Sequence, residues 1–194
     1  MTFSSDLVFD GAAGRPYVED DQPAPLNVYG NAKAEAERRV LHLLPDALVI
    51  RTSAFFGPWD DYNFATVALR TLAEGRTFRA ADDYVVSPTY VPDLVHASLD
   101  LLIDGEGGIW HLANEGAVTW YEFARMVARQ AGVRDERIER CGWRDVWGPA
   151  ARPAYSVLGS GRARLMGTLD KALAAYAADV TTVQEEEGVR CASS

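Results

Sequence analysis

The run "ALVIRTS", residues 47–53, narrows the fold more than any other stretch of this chain. It is a continuous apolar segment bounded by turn signals, and it shows no polar alternation. That is the pattern of a strand buried on both faces in a parallel sheet. The segment Thr2 to Phe9 is short, rich in β-formers and closed by Asp10-Gly11, so it reads as a strand ending in a turn. Between the two lie a long proline-containing stretch, "GAAGRPYVEDDQPAPLN", and a helix from about Val28, with Val40, Leu43 and Leu44 as its apolar face and Pro45-Asp46 as its stop. Strand, long loop, helix, strand is a βαβ unit, and structureless connections of this length are usually functional.

Further along, Asn63 to Glu74 reads as an amphipathic helix closed by Gly75. A short strand follows, then a Pro-Thr turn and a helix opening near Pro92. "GIWHLAN" reads as another strand. Thr119 and Glu122 form a capping box for the helix "WYEFARMVARQAG", with Gly132 at its end. A short Ala-rich helix is expected near 169–178, and a disordered tail over 181–194. The whole predicts an α/β fold, a partial parallel sheet with flanking helices.

Composition removes several function classes. The 194 residues are 48% hydrophobic and 24% charged, as in a compact globular chain. The net charge of −9 offers no basic patch for nucleic acid. No apolar run approaches the roughly 20 residues that span a bilayer, and the N-terminus resembles no signal peptide, so a cytoplasmic location is expected. Cys141 and Cys191 are far apart and belong to no paired motif, which argues against a disulfide or a zinc site. His42, His96 and His111 lack metal-ligand spacing.

The stretch "NVYGNAKAEAERRV" places Tyr29 and Lys33 four apart, on one helix face. A neighbouring ammonium favours the charged phenolate over the phenol, which suits a tyrosine to proton transfer near neutral pH. Reducing a carbonyl needs such a donor, together with a second hydroxyl to polarise the oxygen. Ser4 or Ser5, at the carboxyl end of the first strand, is placed to supply it, and Ser5 is the better candidate.

A Tyr-x-x-x-Lys pair alone arises often by chance, but here it stands among "FSSDLVFDG", "PYVEDDQPAPLNVYGNAKAEAE", "VIRTSAFFG", "VSPTYVPDL" and "ARPAYSVL" in order. Together these resemble the extended short-chain dehydrogenase/reductase superfamily, and within it the dTDP-4-dehydrorhamnose reductases and their sugar-nucleotide-binding relatives, from about residue 3 to 178. The resemblance implies Ser5, Tyr29 and Lys33 as the catalytic set. Tyr29, Lys33 and Ser53 would lie at a nicotinamide cofactor, and Asp6, Asn63, Ser87, Thr89 and Arg152 would approach a dTDP-sugar. The implied reaction is NADPH- or NADH-dependent reduction of a C4 keto group in dTDP-L-rhamnose synthesis, and the need for a divalent metal stays open.

The family pattern also has a part that this chain lacks: no G-x-x-G-x-x-G follows an opening strand, and Gly159-Ser160-Gly161 lies late. On that pattern Phe3 falls in the fifth strand and about a hundred preceding residues would be absent, so the resemblance implies the C-terminal part of a Rossmann-like fold over 1–60 and a small α/β substrate-binding region with a returning strand and helix over 61–180. The expectation is a polypeptide incomplete as a stand-alone enzyme. It would be a fragment, the product of a misplaced start, or a non-catalytic sugar-nucleotide-binding or regulatory module, with a nucleotide-sugar epimerase relative as a further alternative. A second polypeptide, or a homo-oligomer, would then complete the sheet. Trp110 and Trp120 are expected in the core and Trp59 over the substrate, and Glu19, Asp20 and Asp21 are expected to stay solvated.

Overall fold

The computed structural model describes residues 1–192, with side chains through Val180. In chain order the elements are β1 (Thr2–Ser5), α1 (Val28–Leu43), β2 (Leu48–Thr52), β3 (Phe55–Phe56), α2 (Phe64–Ala73), β4 (Phe78–Ala81), β5 (Val85–Val86) and β6 (Thr89–Tyr90). They continue with α3 (Val91–Ile103), β7 (Gly108–His111), β8 (Val118–Thr119), α4 (Trp120–Gln130), β9 (Ile138–Cys141), α5 (Trp143–Trp147) and α6 (Leu169–Ala192). The main sheet is parallel, in the order β1-β2-β7, with Ser5 opposite Thr52 and Arg51 opposite His111. A smaller parallel pair joins β4 to β9.

All five residues of β2 are buried, Leu48, Val49 and Ile50 as the apolar run requires of a central strand, and Arg51 and Thr52 with polar partners in Glu37 and Thr89. Leu48 and Ile50 pack under α3 against Leu94, Ala97 and Leu101, each burial contributing roughly 1.5–3 kcal/mol for the larger side chains. Arg51 meets α1 instead. The capping box of Thr119 and Glu122 is present, and Gly132 takes the left-handed conformation, φ 66°, just past α4. A second core joins Phe56, Phe123 and Val127 to Leu173 and Tyr176 of α6.

Four expectations are corrected. The first strand ends at Ser5 rather than Phe9, because the Ser5 hydroxyl accepts from the Leu7 amide and turns Asp6–Val8 into a 3-10 helix. The inward face of α1 is not Val40, Leu43 and Leu44: Leu43 and Leu44 are 75% and 66% exposed, and the buried positions are Gly30 and Glu37, with Ala34 packed inward between them. Small residues let this helix lie close to the chain that leaves β1. The helix opening at Leu169 extends to Ala192, anchored at its start by Leu169, Ala172, Leu173 and Tyr176. The tail expected over 181–194 lies outside the fully described residues. Glu19 is not solvated either: it is 8% exposed and accepts from Ser160 Oγ at 2.6 Å, Gly161 N at 2.9 Å and His111 N at 3.1 Å.

Beside Glu19 lies a buried charge network. Arg51 donates to Glu37 through Nε at 2.9 Å and Nη2 at 2.7 Å, and both side chains are almost wholly buried. The Tyr17 and Gly159 carbonyls, which can only accept, face His111 Nδ1, so that nitrogen carries the proton and Nε2 accepts from Arg51 Nη1 at 3.3 Å. Burial, reinforced by Arg51, holds the imidazole below its usual range despite Glu19.

Candidate active site

A cleft of about 560 Å³ opens at the carboxyl ends of β1 and β2, where open α/β sheets place their ligands. Its floor carries Ser4, Ser5, Asp6, Thr52 and Ser53, and Tyr29 stands at one side. The opposite wall is made by Phe64, Arg79, Tyr84, Trp120, Trp147 and Arg152.

Tyr29 reaches the cleft because α1 begins where it does. Asn27 caps the helix by accepting from the Gly30 amide at 2.8 Å, and its Nδ2 donates to the Ala151 carbonyl at 2.9 Å, next to Arg152. Gly30 then lies against the Leu7 backbone at a distance that no side chain permits. Tyr29 is 52% exposed. One turn on, Lys33 Nζ sits 5.7 Å from the Tyr29 ring centroid and donates to the Phe3 carbonyl at 3.1 Å.

Asp6 is buried and receives three hydroxyls: Ser5 at 3.0 Å on Oδ1, and Ser53 at 2.8 Å and Ser156 at 2.5 Å on Oδ2. Burial raises its proton affinity above that of an ordinary aspartate, and the three serines oppose this. Tyr84 is pushed far up by burial, with the Asp6 charge adding to the effect.

Of the residues singled out in the sequence, Ser5, Asp6, Tyr29, Ser53 and Arg152 share the cleft wall, and Lys33 stands behind Tyr29. Asn63, Ser87 and Thr89 are buried outside that wall, with their polar atoms used inside the protein. Asn63 caps α2, accepting from Thr66 N, and donates to the Gly57 carbonyl at 2.8 Å. Ser87 pairs with the Leu158 backbone, accepting from its amide at 3.1 Å, and Thr89 accepts from Thr52 Oγ1 at 3.3 Å. Trp59 is 70% exposed and outside the wall, whereas Trp120, expected in the core, is half-buried and lines it.

Roles for Arg79, Tyr84, Trp147 and Ser156 were not found by sequence reasoning. The segments of Arg79, Tyr84 and Trp147 carry no motif, and only folding brings them to the cleft; Ser156, within "ARPAYSVL", is fully buried against Asp6. Among the described residues no group of three or more His, Cys, Asp or Glu side chains could hold a metal ion, and no helix is long and apolar enough to cross a membrane.

A parallel sheet flanked by helices, with Ser5 at a strand end and Tyr29 and Lys33 on the following helix, defines a Rossmann-like protein of the short-chain dehydrogenase/reductase type. The chain belongs to the RmlD substrate binding domain family, whose model matches residues 1–187. It is 39% identical over 167 residues to a dTDP-4-dehydrorhamnose reductase of Mycolicibacterium smegmatis, covering 84% of this chain and 51% of the relative. It is 36% identical to a dTDP-4-keto-6-deoxy-D-glucose reductase of Streptomyces niveus, covering 80% and 54%. The chain thus spans about half the length of these curated relatives. Among solved structures, the dTDP-4-dehydrorhamnose reductase of Bacillus anthracis in complex with NADP superposes with a TM-score of 0.84 at 28% identity, covering 92% of this chain and 64% of that one. The Clostridium acetobutylicum protein of the same name gives 0.85 at 28%, covering 93% and 65%.

Proposed function

We propose that this chain forms the substrate-binding and proton-donating part of an NAD(P)H-dependent reductase acting on the C4 keto group of a dTDP-linked 6-deoxy sugar. The observation that carries this reading is the convergence of Ser5 and Tyr29, from separate elements, on one cleft with Lys33 beside the tyrosine. In this reading residues 1–60 hold the reacting groups, and residues 61–180 supply most of the opposite wall.

The donor set suits a nicotinamide ribose: an ammonium carries three donors, and the fold uses one Lys33 donor on the Phe3 carbonyl. A bound nicotinamide nucleotide would supply the hydride. Tyr29 would give its phenolic proton to the sugar's carbonyl oxygen, and the Lys33 charge would stabilise the phenolate left behind. The indoles of Trp120 and Trp147 offer flat faces to a base, and Arg152 and Arg79 offer charge to a diphosphate. The relative solved with NADP supports a nicotinamide cofactor, NADPH or NADH. Within the described residues β1 is an edge strand, which supports pairing there with a second polypeptide or a second copy.

The test is a titration of the purified chain with NADPH, followed by nicotinamide fluorescence, then turnover of a dTDP-4-keto-6-deoxy sugar by wild type and Tyr29→Phe. Saturable binding and turnover lost in Tyr29→Phe support the reading. Binding of the dTDP-sugar without NADPH binding would make this a sugar-nucleotide module that does not reduce on its own.

A further inference from the structure

The cleft's hydroxyls present a question of proton direction. Ser5 has one proton and two lone pairs. Its proton goes to Asp6 Oδ1 at 3.0 Å, and one lone pair accepts from the Leu7 amide at 3.2 Å. Only a lone pair is left for the cleft. A serine in this state accepts from a ligand hydroxyl and gives nothing to a carbonyl oxygen.

The other bonds to Asp6 share this sense. Ser53 and Ser156 have one proton each and lie on Oδ2 at 2.8 and 2.5 Å. Tyr84 Oη stands 3.3 Å from Ser156 Oγ, and because the Ser156 proton is held by Asp6, Tyr84 is the donor of that contact. An ionised carboxylate, acceptor only, fits three incoming protons. In a neutral carboxyl one oxygen carries a proton of its own, and where that proton is aimed at a serine the serine's own proton turns away.

Ser156 is embedded, at 0% exposure, and is further fixed by its amide, which donates to the Val85 carbonyl at 2.9 Å. Ser5 and Ser53 both border the cleft, but Ser53 shares Oδ2 with Ser156, whereas Ser5 alone lies on Oδ1. We propose that Asp6 is a positioning residue that acts through Ser5. While ionised it holds the Ser5 proton and leaves Ser5 an acceptor; once neutral it donates to Ser5, and the Ser5 hydroxyl turns to donate into the cleft. Ser156, 150 residues away in sequence, is the second half of the device, holding Oδ2 so that Oδ1 is the oxygen that changes. The titratable and charged groups beside Asp6 are Tyr84, which shares the Ser156 contact, and Arg152, adjacent to Tyr84. The proposal rests on the reading of Ser5 and Tyr29 as the groups that meet the ligand.

The test is a carboxyl carbon NMR titration of the full chain labelled at aspartate, with the Asp6 resonance assigned by its loss in Asp6→Asn. Loss of Ser5 removes a bond from both forms of Asp6, but the charge-assisted bond to the carboxylate is the stronger, so the carboxyl's proton affinity rises; loss of Ser156 removes a donor alone. Ser5→Ala and Ser156→Ala should therefore each move the Asp6 midpoint upward by about one pH unit, a tenfold gain in proton affinity, while a control, Ser98→Ala, leaves it in place. A midpoint unmoved or lowered in Ser5→Ala would overturn the proposal, because Ser5 would then not be a donor to Asp6. Should Ser156→Ala fail to fold, the Ser5→Ala shift decides alone. The reading of the site is judged separately, by binding of dTDP-glucose to wild type. Failure of that binding would overturn the site reading and leave the direction of the Ser5 proton as the titration found it.

Discussion

A Cβ placed on Gly30 would stand 2.1 Å from the carbonyl oxygen of Leu7 and 2.9 Å from Pro25 Cβ. The neighbouring atom is backbone, at the point where β1 turns into its 3-10 helix, so it cannot swing aside. Gly30→Ala must push the first turn of α1, and Tyr29 with it, away from Ser5. Denaturant unfolding should show a loss of about 1–3 kcal/mol or more, and any ligand binding that depends on Tyr29 should weaken in the same variant.

The Arg51–Glu37 pair predicts an asymmetry. Removing either partner leaves a buried charge alone, so Glu37→Gln or Arg51→Met should cost about 3–5 kcal/mol in unfolding experiments. The double variant Glu37→Gln with Arg51→Met should be far less destabilised than the sum of the two. Additive losses would mean that the pair is not coupled.

Glu19 provides a pH signature. Burial works to raise its proton affinity, and the bonds from Ser160, Gly161 and His111 more than offset this, so its folded value lies below the ordinary glutamate value. Such a group adds stability that is fully present above the unfolded value, about 4.3, and lost as pH falls through the folded one. Glu19→Gln should be less stable than wild type at pH 7 by about 1–3 kcal/mol, with the gap closing below that value. A gap unchanged between pH 7 and pH 3 would contradict the assignment.

These contacts also mark the limit of what the sequence discloses. The β2 run, the capping box at Thr119 and the Tyr29–Lys33 spacing are local patterns, set by the repeat of a strand or a helix, and they were legible. The Ser5, Tyr29 and Lys33 grouping was legible through resemblance. Ser156 against Asp6, and Glu19 against His111, join segments 150 and 92 residues apart with no periodicity to announce them. The apolar face read on α1 failed for a related reason. Gly30, Ala34 and Glu37 follow helical spacing, but a buried glutamate is recognisable only once Arg51 is opposite it.

Ala54 sits at φ 44°, the left-handed region, between Ser53 and the wall residue Phe55. A non-glycine residue there carries strain of order 1 kcal/mol, which glycine relieves while losing part of the gain to chain entropy. Ala54→Gly should leave thermal stability unchanged or raise it by up to about 1 kcal/mol. A clear loss of stability would show that the Ala54 methyl packs usefully against Tyr84 and Trp143, with which it clusters.

The decisive observation is where a dTDP-sugar binds. Indole N–H resonances of the tryptophans, assigned by single substitutions, can be followed as dTDP-glucose is added to the purified chain. Trp120 and Trp147 line the cleft, and Trp110 lies in the sheet beneath Arg162, 3.9 Å from its guanidinium. Binding in the cleft requires saturable shifts of Trp120 and Trp147 with Trp110 unmoved. No saturable shift, or a shift confined to Trp110 on the far side, would contradict the placement of the substrate between the Ser5–Tyr29 wall and the two indoles.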